Sequence, residues 1–166
     1  YRNGSKPMSV SNLRIFLLIS LFTLPIISCD RDKNDVIPDI TVDFTITASD
    51  PEFYDLFYAP GTSVLISSAH RYLGQGTAGY DGNGIIIYNA SEGLFYAYDR
   101  TCPHCFVTDD VSVAVDVDGI FISCPRCSTD YAIGSSGLPL NGPGQYYLKN
   151  YRTSFTGYSV RVWNRR

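Results

Sequence analysis

The chain has 166 residues, of which 45% are hydrophobic, and its formal net charge is −3. This length supplies the core of one domain and argues against two. Residues 1–28 hold three of the 13 basic residues and none of the 16 acidic ones, so the rest of the chain has a net charge of −6. Because no cluster of Lys and Arg stands out, the composition argues against a nucleic-acid partner.

The N-terminal segment is typical of an export signal. Arg14 precedes the apolar stretch 15–27, which is too short to cross a bilayer as a permanent helix. We expect a signal peptide over residues 1–28, with Met8 as a candidate for the natural start. The aliphatic and small residues before Cys29 resemble a bacterial lipobox, which implies a lipid on Cys29 and a place in the cell envelope, in the periplasm or on the outer-membrane surface. An ordinary signal peptide with an incidental cysteine is the alternative.

The remainder of the chain predicts a short polar tether followed by an all-β domain. Residues 29–39 are charged and contain Pro38, which favours a flexible tether. From Ile40 to Thr47 apolar and polar residues alternate, which predicts the first strand of a domain over residues 40–166. Residues 51–60 are rich in aromatic side chains, and their sequence fits either a helical turn or an aromatic loop.

Further strands and turns follow in chain order. We expect strands over 63–67, 84–88, 94–98, 146–150 and 158–163, a glycine-rich loop over 74–84 and an irregular loop over 137–144. His70 is interpreted as a surface or packing residue. The predicted fold is a small antiparallel β sandwich.

Four of the five cysteines stand in two C-x-x-C pairs, which we call the knuckles. The first knuckle is Cys102-Pro103-His104-Cys105 and the second is Cys124-Pro125-Arg126-Cys127. A two-residue gap allows a tight turn to direct both sulfur atoms at one point, about 2.3 Å from a zinc or iron ion. If Cys29 carries lipid, no cysteine is left over.

The segment between the knuckles predicts a hairpin that brings them together. Valines alternate over 111–117, Asp118-Gly119 is a preferred two-residue turn, and residues 120–123 read as the returning strand. Two disulfides are the alternative to a metal. Closure of a C-x-x-C pair on itself makes a strained ring, and clustered bridges remove little loop entropy, which favours a metal site.

Residues 99–162 resemble the Rieske iron-sulfur domain. The resemblance rests on the Cys102-Pro103-His104 and Cys124-Pro125-Arg126 loops, on Thr129 and Tyr131 at the family's serine and aromatic positions, and on Asn141-Gly142-Pro143 at its Gly-Pro loop. It implies a metal-binding subdomain over about 99–145. The chain also resembles the Rieske-like lipoproteins of Bacteroidetes, which share the lipobox and an acidic tether.

Two departures from the family pattern change the expected ligands. Cys127 stands at the position of the second histidine ligand, and Ser128 replaces the glycine that follows it. The resemblance therefore implies Cys102, Cys124 and Cys127 as ligands, with either His104 or Cys105 as the fourth. The hydroxyls of Thr129 and Tyr131 are expected to donate to the sulfur atoms of the cofactor.

These patterns leave three functional hypotheses, in this order of preference. The first is a membrane-anchored [2Fe-2S] protein that transfers single electrons to an unidentified redox partner. The second is a structural or interaction module with zinc bound by four cysteines. The third is a Rieske-like fold without metal, whose thiols form disulfides. An independent enzyme is less expected, because no catalytic constellation stands out.

Overall fold

The computed structural model describes residues 36–164, and within them strands are the main regular structure and helices are few and short. The strands are β1 (Asp43–Thr47), β2 (Ser63–Ile66), β3 (Gly74–Gln75), β4 (Ile85–Ser91), β5 (Leu94–Asp99), β6 (Asp116–Asp118), β7 (Phe121–Ser123), β8 (Asp130–Ala132), β9 (Leu138–Asn141), β10 (Asn150–Phe155) and β11 (Ser159–Trp163). The helices are α1 (Tyr54–Tyr58), α2 (Pro103–Asp109) and three 3-10 helices, Pro51–Phe53, Ser68–Leu73 and Tyr80–Gly82. The predicted all-β class is confirmed.

The strands form two antiparallel sheets. The large sheet has seven strands in the order β2-β4-β5-β10-β11-β1-β3, and the small sheet has four in the order β6-β7-β8-β9. The predicted β4–β5 hairpin is present, with pairing that runs from Ile85 opposite Asp99 to Ser91 opposite Leu94. The small sheet pairs its strands in simple chain order. It therefore contains both the end of the inter-knuckle segment and the strand that follows the second knuckle.

Within residues 36–164, most buried apolar side chains belong to two clusters, one of which contains the cysteines. The apolar cluster consists of Val42, Phe44, Ile46, Phe53, Leu56, Ile66, Ile85, Ile87, Phe95, Ala97, Tyr151, Val160 and Val162. The cysteine cluster consists of Ile86, Tyr88, Tyr98, Cys102, Cys105, Val115, Ile122, Cys124, Tyr131, Ile133 and Leu148. Alternate residues of β4 enter alternate clusters, because successive side chains of a strand point to opposite faces. The run Ile85-Ile86-Ile87 is buried for this reason.

The hairpin expected between the knuckles is shorter than its valine pattern indicates. Its strands are β6 and β7, whereas the valine-rich segment before β6 bonds to the chain on either side of Thr101. Cys102 N–H donates to Val113 O at 2.8 Å, and Val115 N–H donates to Arg100 O at 2.7 Å. The alternation correctly marked an extended segment, but that segment lies against the entry to the first knuckle rather than against β7.

Three other local predictions differ from the structure. The loop expected over 137–144 contains β9, where Pro139 is tolerated because β9 is an edge strand. The strand expected over 146–150 begins where that range ends, at Asn150. The aromatic segment 51–60, left open between helix and loop, is helical at Pro51–Phe53 and in α1.

The end of the predicted tether is packed onto the domain. Ile37 is buried, and Lys149 Nζ donates to Ile37 O at 2.9 Å and to Asp39 Oδ1 at 2.6 Å. The signal peptide, the first part of the tether and Cys29 lie outside the described residues. Within 36–164 no helix has the length and apolar composition needed to cross a membrane.

Candidate metal centre

The first knuckle is the beginning of a helix. Cys102 is the residue before α2, and Pro103 is the first residue within it. Proline suits this position because a first-turn N–H has no partner inside the helix and the ring fixes a helical φ. Cys105 follows within the same turn, so both sulfur atoms lie at the same end of α2. The expected tight turn is thus a helical one, closed by the Phe106 N–H, which donates to Cys102 O at 3.1 Å.

The second knuckle is a tight loop between β7 and β8. Ser128 N–H donates to Cys124 O at 3.0 Å, and Cys124 N–H donates to Thr129 O at 2.9 Å. The loop closes through Ser128, whose φ of 56° lies in the left-handed region. Glycine reaches that region without strain. This conformation explains why the family pattern has glycine at this position. Ser128 adopts it with some backbone strain.

A glycine loop packs closely over the second knuckle. A Cβ atom on Gly142 would lie 2.6 Å from Ser128 O, and one on Gly144 would lie 2.5 Å from Thr129 Cγ2. Gly144 N–H also donates to Thr129 Oγ1 at 3.0 Å. The loop therefore fixes Thr129 from the side opposite to β7.

The two knuckles bring four sulfur atoms together. Cys102 Sγ lies 3.7 Å from Cys127 Sγ, Cys105 Sγ lies 3.7 Å from Cys124 Sγ, and all four sulfur atoms lie within 4.8 Å of one another. None of these four cysteines forms a disulfide in the structure. We call this group the thiol cage. His104, which the sequence offers as an alternative ligand to Cys105, is partly buried but is not part of it.

The cage is enclosed on three corners and open at one. Cys102, Cys105 and Cys124 are at most 1% exposed, whereas Cys127 is only partly buried. Burial raises the pKa of the Cys102 thiol to about 11, although the Cys105 N–H and the Tyr131 hydroxyl act in the other direction. Burial raises the pKa of Cys105 still further. A bound cation must therefore displace protons from these sulfur atoms.

Two hydroxyl groups predicted to support the site do contact sulfur. Tyr131 Oη lies 3.4 Å from Cys102 Sγ, and Thr129 Oγ1 lies 3.2 Å from Cys127 Sγ. Both residues are fully buried. Burial acts to raise the pKa of Cys127, but hydrogen bonds from the hydroxyl and backbone N–H of Thr129 and from the thiols of Cys124 and Cys105 together lower it. In the protonated form the Cys127 thiol donates to Thr129 Oγ1, which also accepts from Gly144 N–H. Once the thiol is deprotonated, the hydroxyl proton of Thr129 can turn to the sulfur.

A buried carboxylate that sequence reasoning missed fixes the entry to the first knuckle. Asp99 is fully buried and accepts hydrogen bonds from Tyr80 N–H at 2.7 Å, Thr101 N–H at 2.9 Å and the Tyr151 hydroxyl at 2.7 Å. An unpaired buried carboxylate is costly, so these donors hold the end of β5 in one conformation. The signal that could have found it is an acid at the end of an apolar strand, three residues before a cysteine.

His70 has a capping role. Its Nδ1 accepts from Ser67 N–H at 3.0 Å, and its Nε2 lies 2.8 Å from Glu52 Oε1. Ser67 Oγ is 3.3 Å from the same Nδ1. Since the Nδ1 lone pair is taken by a backbone N–H, this chain of contacts caps the 3-10 helix Ser68–Leu73 and is not arranged to activate a nucleophile.

Comparisons with known proteins give matches among solved structures alone. No protein-family model matches the sequence, and no curated protein matches it. The chain is similar to a structure described as a complex of reduced oxygenase and oxidised ferredoxin in carbazole 1,9a-dioxygenase, with 18% identity and a TM-score of 0.43, over 65% of this chain and 86% of that one. It is also similar to the ferredoxin of carbazole 1,9a-dioxygenase from Nocardioides aromaticivorans IC177, with 15% identity and a TM-score of 0.44, over 76% of this chain and all of that one.

Proposed function

We propose that the chain is a one-electron carrier whose iron is bound by the thiolates of Cys102, Cys105, Cys124 and Cys127. The observation that carries this proposal is the thiol cage, in which four sulfur atoms lie within 4.8 Å of one another. Four cysteine thiolates are the ligand set of iron-sulfur electron carriers.

The two hydroxyl contacts suit a centre whose charge changes. When a thiolate-bound iron gains an electron, negative charge on the sulfur atoms increases, and a hydroxyl that donates to sulfur stabilises the reduced form. Tyr131 and Thr129 are placed to do this at Cys102 and Cys127, at 3.4 and 3.2 Å. The two hydroxyls would therefore raise the reduction potential of the centre as well as orient its ligands.

The unequal burial of the cage also suits electron transfer. Three sulfur atoms are enclosed by the cysteine cluster, which keeps water away from the centre, and Cys127 reaches the surface beside the exposed Pro125 and Arg126. An electron can enter or leave by way of this sulfur without crossing the body of the domain. The partner that would receive it is the unidentified redox protein predicted from the sequence.

Cys105 rather than His104 is proposed as the fourth ligand. Cys105 lies in the cage, and His104 does not. An all-thiolate set keeps the potential of an iron centre low and removes the proton coupling that a histidine ligand brings. We therefore expect the midpoint potential to change little with pH.

A pair of matched variants tests this ligand assignment. Cys105→Ser should abolish or bleach the visible absorption of the centre, whereas His104→Gln should leave its iron content and spectrum unchanged. The opposite result would make His104 the ligand, and loss in both variants would mean that the knuckle depends on both side chains.

Zinc is the second candidate, in which case the site is structural. The observation that favours it is the closure of the cage: two C-x-x-C knuckles face each other with similar short sulfur separations, as a four-coordinate structural zinc site requires. In that case the metal holds the knuckles together, and chelation unfolds this part of the domain without any redox change.

Anaerobic purification of the full chain distinguishes these functions. An electron carrier should be coloured, should contain iron and should show a reversible one-electron couple in spectroelectrochemistry. Colourless protein with stoichiometric zinc and no redox response between oxidised and reduced conditions would overturn the proposal. The lipid on Cys29 and the location in the cell envelope stay predictions, which mass spectrometry of the mature N-terminus can check.

A further inference from the structure

We infer that the thiol cage holds one metal ion and not a binuclear [2Fe-2S] cluster. The inference deepens the proposed function and rests on the same four cysteines. Their chemistry matches either centre, because thiolates bind both a single tetrahedral ion and the two irons of a cluster. The spacing of the sulfur atoms separates the two possibilities, and it disagrees with the cluster that the Rieske resemblance implies.

A single tetrahedral ion fits the observed spacing. With a metal–sulfur distance of about 2.3 Å, tetrahedral geometry separates each pair of ligands by about 3.8 Å. Two separations in the cage are 3.7 Å, one between Cys102 and Cys127 and the other between Cys105 and Cys124. The upper bound for every pair is 4.8 Å. The four sulfur atoms therefore already surround one coordination site.

A binuclear cluster needs more room than this. Its irons share two bridging sulfides, so their coordination spheres are two tetrahedra joined at an edge. Thiolates on different irons then stand about 5.3 Å apart when they lie on the same side and about 6.5 Å apart across the diagonal, by the same bond length of about 2.3 Å. All four sulfur atoms of this chain are closer than 4.8 Å. The diagonal pairs would have to separate by well over an ångström.

The contacts around the cage oppose such an expansion. Tyr131, which follows the second knuckle, contacts the sulfur of Cys102 in the first, so the two knuckles cannot part without losing this contact. Arg126 Nε, in the second knuckle, also donates to Oδ2 of Asp109, the last residue of α2, at 3.1 Å. Behind the second knuckle, Gly144 and Thr129 leave no space for an added Cβ. Outward rotation of the buried sulfur atoms would drive them into the cysteine cluster, which is packed with apolar side chains.

The test is the composition and spectrum of the full chain, purified anaerobically. One iron per chain, no acid-labile sulfide, and an X-ray absorption spectrum with about four sulfur neighbours and no iron–iron distance would support both this inference and the proposed function. Two irons and two sulfides per chain, with an electron paramagnetic resonance signal on reduction, would overturn the inference and keep the electron carrier. One zinc per chain without iron would keep the single-ion site and overturn the electron carrier.

A cobalt titration gives a second readout that does not depend on the metal loaded in the cell. Co²⁺ added to metal-free chain should develop the intense visible bands of a tetrahedral thiolate site and saturate at about one ion per chain. Cys127→Ser should weaken the sulfur-to-cobalt charge-transfer absorption by roughly a quarter, because one of four thiolates is lost. Cys29→Ser, a matched change outside the cage, should leave the end point unchanged. Saturation at two ions per chain in both the wild type and Cys29→Ser would overturn the inference.

Discussion

The two sheets of this domain are stabilised in different ways. The large sheet has strands of up to seven residues and closes on the apolar cluster, to which six of its seven strands contribute. In the small sheet β6, β7 and β8 have three residues each, and its buried side packs on the cysteine cluster. Strands this short do not form a stable sheet alone. The large sheet buries apolar surface on its own, whereas the small sheet packs on the cluster that holds the four cysteines, so we expect its stability to depend on the proposed metal ion.

Loss of one cage ligand should have the largest effect, and it should be confined to one sheet. A structural thiolate site contributes binding free energy on the order of 10 kcal/mol to folding. In Cys124→Ser, amide protons in β6–β9 should exchange rapidly while those of β1, β4 and β11 stay protected. Hydrogen exchange read by mass spectrometry measures this, with Cys29→Ser as the control. Equal loss of protection in both sheets would show that their stabilities are not separable.

A cavity in the apolar cluster should lower the stability of the domain without loss of metal from the thiol cage. Ile87 is fully buried in β4, so Ile87→Ala should lower the free energy of unfolding by about 2–5 kcal/mol. Leu65 lies on the neighbouring strand β2 and is 44% exposed, so Leu65→Ala should cost about 0.5 kcal/mol or less. Denaturant unfolding measures both. Metal content of the folded variants should match the wild type, and a loss of metal in Ile87→Ala would mean that the large sheet sets the cage geometry directly.

Removal of one hydroxyl should shift the reduction potential without unfolding either sheet. Tyr131→Phe removes a donor to Cys102 worth about 1 kcal/mol in the reduced state, so the midpoint potential should fall by about 40 mV. Tyr98 is the matched control, because its hydroxyl donates to Ile133 O at 2.6 Å and not to sulfur. Tyr98→Phe should therefore leave the potential where it is. Equal shifts in both variants would show that the effect is one of packing.

The smallest predicted effect concerns the turn of the second knuckle. Ser128 has a φ of 56°, which glycine adopts without strain, so Ser128→Gly should raise the free energy of unfolding by up to about 1 kcal/mol. Ser154, an exposed residue inside β10, is the control, since Ser154→Gly should lower stability by a similar amount. Chemical denaturation of the metal-loaded variants measures both, and destabilisation by Ser128→Gly would mean that the serine side chain stabilises the loop.

Local patterns predicted the parts of the fold that depend on local chemistry. The alternation around Phe44, the β4–β5 hairpin and the convergence of the two knuckles all follow from side-chain period and turn residues, and all three are present. The class of fold and the four cysteines of the site were therefore accessible from the chain alone.

The parts that could not be predicted depend on contacts between distant segments. The valines before β6 predict a strand, but their alternation does not show which segment they pair with. In the structure their backbone pairs with Arg100 and Cys102. Pro139 indicated a loop, because proline is tolerated in a strand only at a sheet edge. Which strand lies at the edge depends on the topology of the whole sheet and cannot be read from the local sequence. Spacing in sequence also cannot separate one metal ion from two, since a C-x-x-C pair serves both, whereas the sulfur–sulfur distances across the cage bear on this question.

The position of β4 between the two clusters connects the large sheet directly to the surroundings of the thiol cage. Ile87 faces the apolar cluster and its neighbour Ile86 faces the cysteine cluster, so one strand serves as a wall for both. This wall belongs to the large sheet, whose strands contain none of the four cage cysteines. A metal ion bound in the cage, as proposed, would therefore sit beside a surface that the large sheet supplies.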